Sequence, residues 1–63
     1  MNKNRYIDVC NTILTDNSAF VRNTVSGEEG RVAGCTREHI LVRSDTGEKF
    51  CWDYHKCEQI DRP

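Results

Sequence analysis

The 63 residues carry nine lysines or arginines against ten aspartates or glutamates, a formal net charge of −1. This describes one small domain without the positive field that drives non-specific nucleic-acid binding. A chain of this length buries only about 60% of the surface its unfolded form exposes, so its core is minimal and its stability marginal. The longest apolar runs, such as Ile40-Leu41-Val42, are three residues, far short of the roughly 20 that cross a bilayer, and no membrane association is expected.

In chain order, Met1-Asn2-Lys3-Asn4-Arg5 begins like the charged region of a signal peptide, but no long apolar stretch follows, so export is not expected. That places the protein in the cytoplasm, where its four cysteines should stay as free thiols. Tyr6, Val9, Cys10, Ile13 and Leu14 recur at helical spacing and predict an amphipathic helix over residues 4–15. Its β-branched Ile7, Thr12, Ile13 and Thr15 lower helix propensity. Asp16-Asn17-Ser18 then supplies turn-forming side chains.

From residue 19 the period changes to two. Strands are predicted at Ala19–Val25, Arg31–Thr36, His39–Ser44, Glu48–Tyr54 and Cys57–Ile60, separated by Ser26–Gly30, Thr36-Arg37-Glu38, Asp45-Thr46-Gly47 and a tight turn at His55-Lys56. Together they form a small barrel over 19–60, within a single domain spanning 1–63. Phe50, Trp52 and Tyr54, with Val21, Val32, Ile40 and Val42, are about enough to fill it. Leu41, Ala33 and Cys51 fall on the opposite parity, where the helix is expected to pack.

The pattern Gly30-x-Val32-x-Gly34-Cys35, a polar turn, Ile40-Leu41-Val42 and Asp45-x-Gly47 resembles the small SH3-like barrels, including KOW-type modules of ribosomal and transcription factors. The resemblance covers about 40 residues and implies a mainly β, five-stranded SH3-like barrel, here with an N-terminal α-helix. For function it implies a protein-docking module or an RNA- or ribosome-associated one. KOW modules that hold RNA usually sit in basic chains, whereas this chain is near neutral and places Glu28-Glu29 in the loop that should face the partner.

The constellations that carry chemistry are sparse. Cys35, Cys51, His55 and Cys57 could form a tetrahedral zinc site, but no Cys-x2-Cys pair is present, and buried thiols are the favoured reading over zinc or a disulfide. A cysteine nucleophile would need His39 or His55 as its base, in a barrel too small to enclose most of a substrate. No enzyme activity, metal or cofactor is therefore expected. Arg31, Arg43 and Lys49 line the outer parity of adjacent strands and could converge on an anionic partner surface. Trp52 is the aromatic expected to be partly exposed, as an alternative docking anchor or stacking platform to its role in the core. The expectation is a non-enzymatic binding module docking to a protein through Arg31, Arg43, Lys49 and Trp52. The alternatives are a KOW-like RNA module, possible but not favoured, and a small zinc-binding or thiol-redox protein.

Overall fold

The computed structural model describes residues 1–15 and 17–61; Asp16 of the predicted 16–18 turn lies outside the described residues. The chain runs α1 (Lys3–Leu14), β1 (Phe20–Asn23), β2 (Glu29–Thr36), β3 (His39–Arg43), β4 (Lys49–Asp53), a 3-10 turn (Tyr54–Lys56) and β5 (Cys57–Ile60). The strands make one antiparallel sheet in the order β4-β3-β2-β1-β5. Among the described residues no ladder joins β4 to β5.

Period-two alternation holds where side chains must choose between core and water. In β3, Ile40 and Val42 are buried while His39, Leu41 and Arg43 are exposed. Val9, Ala19, Val21, Val32, Ile40, Val42, Trp52, Tyr54 and Cys57 form the core, with Met1, Tyr6, Ile13 and Phe50 packed at its margin. Seven of these residues match the expected filling. Val25 does not join them: it is 76% exposed and lies beyond the end of β1.

Two local devices set the strand geometry. Val21 opposes Gly30, where an added Cβ would meet Arg43 O at 2.7 Å and Val42 Cγ1 at 2.5 Å, so glycine alone lets β2 lie this close to β3. The register between β2 and β3 then shifts between Val32 and Gly34. Ala33 is the extra residue of a β-bulge, and a bulge resets which face later residues occupy. Cys35, opposite the buried Ile40, therefore turns inward towards α1.

That inward turn overturns two expectations. Cys10 and Cys35 are joined in a disulfide with their Cα atoms 6.0 Å apart, a normal separation for such a bridge, so these two thiols are not free. The helix also packs on the inner face, not over Leu41, Ala33 and Cys51. Val9 is fully buried in the core, and Tyr6 stacks on Tyr54 with ring centroids 4.5 Å apart. Asn2 caps α1 by accepting the Arg5 N–H at 2.8 Å. Lys3 and Arg5 in its first turn oppose the helix dipole, and no acidic residue offsets them. Twelve residues with that charge pattern are marginal as an isolated helix; the bridge and Val9 hold it in place.

Candidate functional site

The outer face of the sheet carries two rows of charge, placed by register. At one end, Arg22 of β1 stands between Glu29 of β2 and Glu58 of β5. Its guanidinium reaches Glu29 Oε2 at 2.8 Å and Glu58 Oε1 at 3.1 Å. Glu29 is therefore a strand residue with a partner inside the sheet, and only Glu28 of the expected loop pair lies in the loop.

The other row crosses β2, β3 and β4: Arg31 opposes Arg43, and Arg43 opposes Lys49. All three are exposed, and among the described residues none forms an ion pair. The expected placement of Arg31, Arg43 and Lys49 on the outer side of adjacent strands is seen as consecutive cross-strand positions. Like charges directly opposite one another destabilise a sheet. Beside them lies a second row, Gly34 opposite Leu41 opposite Cys51. Leu41 is 39% exposed and Cys51 is exposed, leaving an apolar strip uncovered next to the cations.

Trp52 is placed elsewhere. It is only 9% exposed and stacks on Phe50 with centroids 5.3 Å apart, on the core side. It therefore does not share a surface with Arg31, Arg43 and Lys49, and the half-buried aromatic of its strand is Phe50.

A cleft of about 350 Å³ opens at the edge of the basic row, lined by Ile13, Asn17, Arg31, Val32, Ala33 and Arg43. It lies where β2 outruns β1. The last paired residue of β1 is Phe20, opposite Arg31, and the Val32 N–H donates to Ala19 O at 2.8 Å. Beyond that point the C-terminal turn of α1 flanks the bulge. Sequence reasoning missed this cleft, because its walls follow from the bulge at Ala33 and from α1 packing on the inner face.

The cysteine and histidine candidates do not assemble. Cys51 points outward, Cys35 is bridged to Cys10, and Cys57 is buried. Burial pushes the Cys57 thiol above its ordinary range, and its Sγ donates to Asp53 O at 3.4 Å; a nucleophilic thiol needs the opposite shift. Asp53 Oδ1 accepts the His55 N–H at 2.9 Å and lies 2.8 Å from His55 Nδ1. These bonds, the backbone one first, hold the Asp53 carboxyl below its usual value, and the arrangement caps the 3-10 turn. No family model, curated protein or solved structure matches the chain.

Proposed function

We propose that this protein is a small non-enzymatic docking module whose outer face, across β2, β3 and β4, binds an acidic surface of a protein partner. The observation that carries this reading is the row Arg31, Arg43 and Lys49, three cations opposite one another with no counter-ion among the described residues. An arrangement that costs stability in the free protein becomes favourable once an anionic partner neutralises it. Exposed Leu41 beside the row adds the apolar area that an interface core uses. In the same reading the sheet is an SH3-like barrel. The support is its meander order with β5 returning to β1.

A protein partner is favoured over RNA for two reasons. The net charge is −1, and the Phe50-Trp52-Tyr54 row faces inward, away from the cations, where it supplies no stacking platform. Titration with an acidic polypeptide, polyglutamate, and with mixed single- and double-stranded RNA at about 50 mM salt separates the two, because phosphate-driven binding is still large there. The expected result is salt-sensitive polyglutamate binding, lost in the Arg31→Ala, Arg43→Ala, Lys49→Ala triple variant, with RNA no tighter than high micromolar. Sub-micromolar RNA affinity lost in the same variant would replace the protein partner with RNA.

A further inference from the structure

We infer that the cleft between the end of α1 and the β2 bulge is the anchoring site of this face, and that its ligand is a carboxylate side chain directly beside an apolar side chain in an extended segment of the partner. The inference rests on the docking reading and narrows it to one pocket.

The walls divide by chemistry. Ile13, Val32 and Ala33 give the lining its apolar part, while Arg31, Arg43 and Asn17 carry N–H donors. Two arginines at directly opposed cross-strand positions suit a planar carboxylate, which a guanidinium can grip through parallel N–H donors. The apolar part of the lining suits one aliphatic side chain. The volume, about 350 Å³, lies at the low end of small ligand sites, which span roughly 300–1,000 Å³. It accommodates a dipeptide-sized anchor, not a folded surface.

The pocket is also held in shape. Cys10 lies one turn before Ile13 on α1, and Cys35 lies two residues after Ala33 on β2, so the bridge between them fixes both walls. Lys49 belongs to the row but not to the cleft, which makes the two levels of the proposal separable. The broader depression at the opposite end of the molecule mixes Arg5 with Glu58 and Asp61 and has no comparable charge excess.

The test uses fluorescence anisotropy with a labelled, C-terminally amidated peptide of alternating glutamate and leucine, and two control peptides, one with glutamine for glutamate and one with serine for leucine. Variants are Arg31→Ala, Arg43→Ala, Lys49→Ala and Ala33→Leu; the last fills the cleft from an exposed bulge position without removing charge, and a thermal melt of each confirms folding. The proposal expects the glutamine control peptide and the Arg31→Ala and Arg43→Ala variants to weaken binding roughly tenfold or more, the loss of one charge-assisted contact; the serine control peptide, through its lost apolar contact, and Ala33→Leu, by filling the cleft, should weaken it by a similar factor. Lys49→Ala should weaken it far less. If Ala33→Leu binds like wild type while the three cation variants lose affinity equally, the cleft is overturned and the broad docking face stands. If the serine peptide binds as well as the leucine one, the apolar half of the anchor is overturned. If no peptide binds folded wild type, both the cleft and the docking reading fall.

Discussion

The two charge rows on the outer face occupy the same sheet and the same side, yet they are built in opposite ways. The Glu29-Arg22-Glu58 row alternates in sign and closes on itself through contacts of 2.8 and 3.1 Å. The Arg31-Arg43-Lys49 row repeats one sign across three strands. A surface shaped only for folding would alternate at both ends, since opposite charges across strands help and like charges hurt. Paired at one end and left with like charges opposite one another at the other, the face divides into a part whose charges stabilise the sheet and a part whose charges do not.

The comparison depends on a rigid β2, which carries Glu29 into one row and Arg31 into the other. The largest way to break it is through the bridge. The Cys10→Ser, Cys35→Ser double variant should lose about 3–4 kcal/mol of stability, the chain-entropy value for a loop of this length, read from the denaturation midpoint. A midpoint unchanged by the double substitution or by reductant would mean that α1 is held by packing alone.

The next largest effect tests the parity that separates the rows from the core. Val32→Ala should cost roughly 1–3 kcal/mol, because a core this small has few residues to share the loss. Val32 is only 3% exposed and lies between the two outward residues Arg31 and Ala33. A wild-type denaturation midpoint in this variant would move the whole of β2 by one residue and dissolve both rows.

The Arg37-Glu38 hairpin loop sharpens the comparison at the far end of β2. Arg37 has φ +48°, and its carbonyl accepts from the Tyr6 hydroxyl. That backbone is costly for a side-chain-bearing residue, so Arg37→Gly should stabilise by about 0.5 kcal/mol after the entropy cost of glycine. Loss of stability would show that the arginine side chain holds the turn. The Asp53 carboxyl supplies a pH dependence. Its folded value is depressed by His55, so its stabilisation is complete above the unfolded carboxylate value and fades as the pH falls through the folded one. Asp53→Asn should flatten that acid limb in a pH series of thermal melts, and an unchanged limb would remove Asp53 as its source.

Much of this was legible in the chain, and the exceptions share one cause. Ile40 and Val42 alternate with Leu41 and Arg43 because the side-chain period of a strand is fixed, and Asp45-Thr46-Gly47 marks its turn, with Gly47 at φ +88°. The shared outer side of Arg31, Arg43 and Lys49 followed from that same parity. The bulge at Ala33 breaks the period, and its one sequence signal, Gly34 inside the strand, does not say which way the later residues turn. It turns Cys35 inward, and the disulfide and the cleft both follow from that turn. The compartment argument for free thiols could not see a geometric coincidence between a helix and a bulged strand. The outer parity of Leu41 and Cys51 was read correctly, but parity alone does not say which face a helix covers. Val9, fully buried, settles that only through tertiary packing.

A similarly small expected effect carries the central claim, that the basic row is kept at the expense of stability. Arg43→Glu replaces the middle cation with an anion between Arg31 and Lys49, converting the row to the alternating pattern of its counterpart. Thermal melts of wild type and Arg43→Glu at low and high salt measure it directly. The account predicts a higher Tm for the variant at low salt, corresponding to a few tenths of a kcal/mol up to about 1, with the gain shrinking as salt screens the row. A Tm equal to or below wild type at every salt concentration would contradict it.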